Sequence, residues 1–176
     1  MPLRRRTSGP DPERPLPPRQ PLRPLASPRH SWRCVGRKNA GSYPDAPLKG
    51  DFNFDGYEDF ALYNGRNGPY GSQTYNVYLY SPAKKTYVLS ESFSDLAFGS
   101  LNFFEIDAKR KRLITFSKDG CCYHYDTEYV VRDNRPVPVL RTSREYRGSY
   151  ELVTVEKFVG GKWKTTKRYR NQCQPA

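Results

Sequence analysis

The sequence predicts an all-β fold: a small antiparallel β domain over residues 45–176, with a disordered Pro/Arg-rich leader over residues 1–44 in front of it. Three observations carry this. Aromatic residues make up 14% of the chain and are mostly tyrosine, and such side chains fit half-buried strands better than helices. From Pro47 onward, short aromatic and β-branched runs alternate with turn residues at close spacing. Helix signals are nearly absent, and only Phe93 to Phe98 reads as one short helical turn.

The leader comes first. Nine of the first thirty residues are proline, interleaved with arginine and leucine. Proline lacks the N–H that helix interiors and central strands use, so the stretch reads as polyproline-like or disordered. Pro12 to Pro24 has PxxP spacing, which suits either a docking segment or an inert tail. Met1 to Arg6 is basic, but no apolar run of about 7–15 residues follows, so no export signal is legible. Ser31-Trp32-Arg33-Cys34 lacks the small and apolar residues of a lipoprotein cleavage site.

The strands follow in order. Phe60 to Tyr63 and Gln73 to Ser81 read as strands, and Pro82 to Lys85 turns the chain back into Thr86 to Glu91. Leu101 to Ile106 and Arg112 to Phe116 flank a hairpin loop from Asp107 to Lys111. Asp119-Gly120 is a turn before Tyr123 to Val131, and Asp133-Asn134 turns that strand toward Val137 to Arg141. Glu151 to Val159 and Lys162 to Tyr169 flank Gly160-Gly161, a strong two-residue hairpin signal.

Composition removes several function classes. The formal net charge is +12, but residues 1–50 carry 11 Lys+Arg against 3 Asp+Glu and the remainder carries 19 against 15. The excess belongs mostly to the leader, so no nucleic-acid partner is expected. No apolar run of about 18 residues is present, so no transmembrane helix is expected. A monomer is expected. Cys34, Cys121, Cys122 and Cys173 lack zinc-site spacing. Adjacent Cys121 and Cys122 suit a bridge to each other, a bridge from either to Cys173, or free thiols. His30 and His124 are the histidines. Ser117, His124 and Asp126 lie on alternate strand positions, which alone do not assemble a triad. No nucleotide-binding glycine motif is present. An enzyme is not expected.

Asp51 to Asp59, D-F-N-F-D-G-Y-E-D, is the segment with the clearest chemistry. Asp51, Asn53, Asp55 and Asp59 stand at positions 1, 3, 5 and 9, and Gly56 at position 6. Calcium takes about 6–8 hard oxygen ligands. Side-chain oxygens on alternate residues, a sharp glycine turn and the Tyr57 carbonyl at position 7 can wrap one ion. An EF-hand needs a bidentate glutamate at position 12, and Leu62 stands there. The pattern resembles instead the calcium loops of integrin-type propeller blades, which bridge neighbouring strands. The plainer alternative is a solvated acidic turn that uses Asn, Asp and Gly for geometry alone.

Two exposed turns and one basic tip complete the candidates. Asn64 to Gln73 is a glycine-rich loop with Tyr70 between Pro69 and Gly71. A rigid aromatic tip suits insertion into a partner's pocket, or the loop folds back on itself. Arg147-Gly148-Ser149-Tyr150 is a second tyrosine turn. Lys109-Arg110-Lys111-Arg112 is a basic hairpin tip, readable as an anion-binding site or as a solvated, aggregation-resistant turn.

Residues from Gly50 to about Tyr169 resemble a bacterial envelope family typified by the immunity protein of the Xanthomonas type IV secretion system, itself similar to periplasmic lysozyme inhibitors. The matching stretches are DFNFDGYEDFALYNG, NGPYGSQTYNVYLYS, ITFSKDGCCYHYDTEYVV and VEKFVGGKWKTTKRYR. The resemblance implies a small propeller-like β fold with bound Ca2+ and a periplasmic, often lipid-anchored location. It implies inhibition of a peptidoglycan-cleaving, lysozyme-like glycoside hydrolase through a loop placed in its active-site cleft. On this chain that role maps to Asn67, Pro69 and Tyr70. The leader, with neither signal peptide nor lipobox, departs from the pattern. The alternative function is a calcium-dependent adhesion or glycan-binding module.

Overall fold

The computed structural model describes residues 46–172. The leader, its PxxP stretch, His30, Cys34 and Cys173 lie outside the described residues. Within them the chain is all-β with one α-helix. Strands β1 (Leu48–Gly50), β2 (Asp59–Tyr63), β3 (Tyr75–Ser81) and β4 (Thr86–Leu89) form a four-stranded antiparallel sheet in sequence order. Helix α1 (Glu91–Phe98) follows. Strands β5 (Glu105–Asp107), β6 (Arg112–Asp119), β7 (Tyr123–Arg132), β8 (Arg135–Arg147), β9 (Tyr150–Val159) and β10 (Lys162–Gln172) form a six-stranded meander. The first sheet has the strand count of a propeller blade. The second does not, so the described residues form two unlike sheets and no ring of blades.

Local chemistry explains the elements. In β3, Tyr75, Val77 and Leu79 are buried while Asn76 and Tyr78 face outward, the period-2 alternation of a one-sided sheet. Gly160 and Gly161 take φ of 60° and 76° at the β9–β10 turn, the paired left-handed conformation that a two-residue hairpin requires. Helix α1 is longer than the expected short turn and starts at Glu91. Its inward residues Phe93, Leu96 and Ala97 recur at i, i+3 and i+4, which makes one apolar stripe. The Ser94 hydroxyl fastens the helix to the sheet: it accepts the Val77 N–H at 2.9 Å and donates to the Ser90 carbonyl at 2.8 Å.

Several boundaries differ from the sequence expectation, among them the end of the strand expected over Thr86 to Glu91, which stops at Leu89 because Glu91 opens α1. The strand expected over Leu101 to Ile106 begins only at Glu105, because Asn102 turns the backbone to φ 87°. Strand β8 runs through Pro136 and Pro138 to Arg147. It tolerates both prolines because β9 pairs with it only from Leu140 onward, leaving that stretch as a local edge where no N–H is needed. Strand β1 precedes the first strand expected from the sequence.

The core joins the first sheet, α1 and the near end of the second sheet. Phe52, Ala61, Val77, Phe93, Phe104 and Leu113 lie at its centre. Phe52 packs edge-on against Phe104 with ring centroids 5.5 Å apart. Burying one such side chain stabilises the fold by about 1.5–3 kcal/mol, so the ring from the acidic loop anchors that loop to the core.

Candidate functional site

Gly50 pairs with Asp59, so the acidic segment is the closed end of the β1–β2 hairpin. Its side-chain oxygens curl it. Asp51 Oδ1 accepts the Asp55 N–H at 3.0 Å and Oδ2 accepts the Gly56 N–H at 2.9 Å. Asn53 Oδ1 accepts the Asp55 N–H at 3.2 Å, and Asp55 Oδ1 accepts the Tyr57 N–H at 2.9 Å. Asn53 Nδ2 donates to Asp55 Oδ2 at 2.7 Å. The bonds from the Asp55 N–H to Asn53 and from the Tyr57 N–H to Asp55, two residues on, are Asx-type bonds. Phe54 and Gly56 adopt φ of 62° and 91°. A Cβ on Gly56 would meet nothing within 4 Å, so the left-handed backbone, rather than space, calls for glycine there.

Asp59 does different work from its loop neighbours. Its side chain is fully buried at 0% exposure. Oδ2 accepts the Phe52 N–H at 2.8 Å and Oδ1 accepts the Tyr80 N–H at 2.9 Å. The carboxylate thus staples the loop, β2 and β3 together. Burial pushes its pKa above the ordinary carboxylate value, while the Tyr80 and Phe52 N–H groups pull the other way. The Tyr57 side chain leaves the loop and packs on Tyr80, with ring centroids 5.2 Å apart. Asn134 joins the loop from the β7–β8 turn: its Oδ1 accepts Asn53 Nδ2 at 3.0 Å. Only a turn signal marks Asn134 in the sequence, and nothing there links it to a residue 81 positions earlier.

Asp51, Asn53 and Asp55 are therefore brought together, and Asp59 faces inward beneath them. Among the described residues no three His, Cys, Asp or Glu side chains converge as a metal-ligand set. The oxygens of Asp51, Asn53 and Asp55 are hard donors of the kind calcium takes, and a carboxylate oxygen that accepts one N–H keeps a second lone pair. A depression of about 520 Å³ opens beside Asp51 and Asp55, and Lys111 is among its lining residues.

Tyr70 stands at the tip of its loop, within a 3-10 turn Pro69–Gly71, at φ 57°. Backbone bonds brace the loop: the Thr74 N–H reaches the Gly65 carbonyl at 2.8 Å, and the Gly71 N–H reaches Gly68 at 3.0 Å. Tyr70 is 63% exposed, yet its ring is not loose. Its hydroxyl accepts the Gly120 N–H at 3.0 Å, and Lys118 Nζ lies 4.5 Å from the ring centroid. The β6–β7 turn thus holds the tip, and Cys121 and Cys122 in that turn are disulfide-bonded to each other. Asn67 sits on the same loop, its amide 3.5 Å from the Asn64 carbonyl.

The outer face of the first sheet carries an aromatic cluster. Phe60 stacks on Tyr78 at 5.0 Å and meets Tyr87 edge-on at 4.7 Å. Tyr80 meets Tyr87 at 5.3 Å. The basic hairpin tip is partly neutralised: Arg110 pairs with Asp107 at 2.6 Å and with Glu128 at 3.0 Å. The Ser117–His124–Asp126 grouping does not assemble. Ser117 is paired with Tyr125 and His124 with Lys118, which puts Ser117 and His124 on opposite faces. Asp126 instead pairs with Arg144 at 2.6 Å.

The chain is similar to a Xanthomonas type IV secretion system related protein. The solved structure of that protein matches with a TM-score of 0.62 and 30% sequence identity, over 69% of this chain. The match spans 57% of the Xanthomonas chain. No protein-family model matches the sequence. A search of the curated proteins finds no match. Among the described residues no helix is long and apolar enough to cross a membrane.

Proposed function

We propose that this protein is an envelope immunity protein that binds and blocks a peptidoglycan-cleaving, lysozyme-like glycoside hydrolase. The observation that carries the reading is Tyr70: a largely exposed ring on a braced loop, pinned by Gly120 and Lys118. A side chain already ordered before binding loses little freedom on entering a cleft. Asn67 and Pro69 shape the approach to it. The likeness to the Xanthomonas protein supports a type IV secretion setting, and a periplasmic site of action is part of the same proposal. The role is binding rather than catalysis. Calcium belongs to the same proposal, held by Asp51, Asn53, Asp55 and the Tyr57 carbonyl, with Asp59 fixing the floor of the loop. The ion would stiffen the hairpin end. The test is co-elution of the purified protein with lysozyme-like hydrolases on a sizing column, alongside peptidoglycan turnover, with calcium and with chelator. Turnover suppressed in step with complex formation supports the reading; full turnover at saturating protein overturns it.

A second reading, a calcium-dependent glycan-binding or adhesion module, is favoured by the aromatic face of Phe60, Tyr78, Tyr80 and Tyr87. Aromatic faces stack on sugar rings, and tyrosine hydroxyls add hydrogen bonds. Glycan-array binding that disappears on chelation would select it.

A further inference from the structure

We propose that the face of the second sheet beneath α1 is a binding site for a small monocarboxylate bearing an α-hydroxyl or α-amino group, anchored by Arg141. This is independent of the hydrolase reading. The strand register builds the site. Thr115 pairs with Thr127, Thr127 with Arg141, and Arg141 with Glu156, so the four side chains form one row across β6, β7, β8 and β9. Ser117 and Tyr125 pair in the adjacent row on the same face. Helix α1 lies over this face, and a cavity of about 180 Å³ is left between them, lined by Asp95, Thr115, Ser117, Tyr125, Thr127 and Arg141.

Arg141 is the unusual member. Its guanidinium carbon lies 4.1 Å from the Trp163 ring centroid and 5.3 Å from that of Tyr125. Aromatic faces attract a guanidinium but offer no acceptor to the N–H groups at its edge. Nε is buried and has no hydrogen-bond partner among the described residues. Arg110, Arg144 and Arg147 are each ion-paired with a carboxylate. Arg141 has no such pair among the described residues, although Glu156 stands opposite it in register. A buried charged donor is ordinarily satisfied, and the planar fork of a guanidinium matches a carboxylate bidentately.

The remaining lining narrows the ligand. Threonine, serine and tyrosine hydroxyls donate or accept as required. Asp95 disfavours a multiply charged anion by like-charge repulsion, and its carboxylate accepts from a hydroxyl or ammonium on the ligand. A singly charged acid with an adjacent donor suits Arg141, Asp95 and the hydroxyls on the walls.

The test is NMR on the 15N-labelled full chain, following the Arg141 Nε–Hε resonance during titration with glycolate, glycine and inorganic phosphate. The expected result is a saturable shift with glycolate or glycine that is lost in Arg141→Gln. Thr127→Val, which leaves the anchor in place, should weaken the same shift about tenfold. No saturable shift with either acid, an unchanged shift in Arg141→Gln, or phosphate binding as tightly as glycolate would each overturn the assignment.

Discussion

Replacing Asp59 by alanine would remove two acceptors at once. The carboxylate is fully buried and takes the Phe52 and Tyr80 N–H groups at 2.8 and 2.9 Å. Each buried donor left without a partner costs about 1–3 kcal/mol, so the gross loss is about 2–6 kcal/mol for the two. Part of this is offset, because burial also penalises the charge that alanine removes. A net destabilisation of about 2–4 kcal/mol is expected, a large share of a typical domain's total of about 5–15. Asp59→Asn keeps one acceptor but turns an amide N–H2 toward the other donor, and should cost about 1–3 kcal/mol. Urea unfolding followed by circular dichroism measures both, with the slope checked for two-state behaviour. If both variants fall within about 0.5 kcal/mol of the parent, the range of ordinary surface changes, the staple does not hold the hairpin and the reasoning is wrong.

Other expectations are simpler. Because burial raises the Asp59 pKa, the folded chain keeps that proton to higher pH than the unfolded chain. Asp59 therefore favours folding most below the ordinary carboxylate value, and this contribution is lost as pH rises through its folded pKa. The stability gap between the parent and Asp59→Asn should then be wider near about pH 4 than near about pH 7, and equal gaps in urea titrations would count against the shift. Phe93→Ala should destabilise by about 3–5 kcal/mol, since the ring is fully buried between α1 and the first sheet; calorimetry that finds less than about 1 kcal/mol would contradict the core assignment. Calcium should raise the melting temperature in proportion to the logarithm of its concentration, about 2.7 kcal/mol at a hundredfold excess over Kd. Asp55→Ala should abolish that response, and identical melts with and without chelator would remove calcium from the account.

Much of the fold was legible because local chemistry and long-range packing agree. The Gly160-Gly161 turn, the Asp107 to Lys111 loop and the alternation of Tyr75, Val77 and Leu79 all appear where period and turn residues place them. The full extent of α1 was not legible. Two serines, Ser92 and Ser94, weaken its helix propensity, and its eight residues are held by the Phe93–Leu96–Ala97 stripe and the Ser94 bond to Val77, contacts that only the folded chain supplies. Pro136 and Pro138 hid the start of β8, since a sequence does not show which part of a strand lacks a neighbour. At the acidic loop, the spacing of Asp51, Asn53 and Asp55 foretold a curled segment. It could not foretell that Asp59 turns inward to backbone donors, or that Asn134 reaches the loop across 81 residues. The Gly120 contact beneath Tyr70 likewise spans 50 residues.

The proposed function stands on the side chain of Tyr70. The decisive measurement is the inhibition constant of the parent and of Tyr70→Ala against a lysozyme-like hydrolase that the parent blocks, with melting curves showing both equally folded. An anchoring aromatic at an interface contributes about 2 kcal/mol or more, so the truncated variant should inhibit about thirtyfold more weakly or worse. Equal inhibition by both proteins would show that the cleft is filled by some other part of the surface, and the account built on this loop would be wrong.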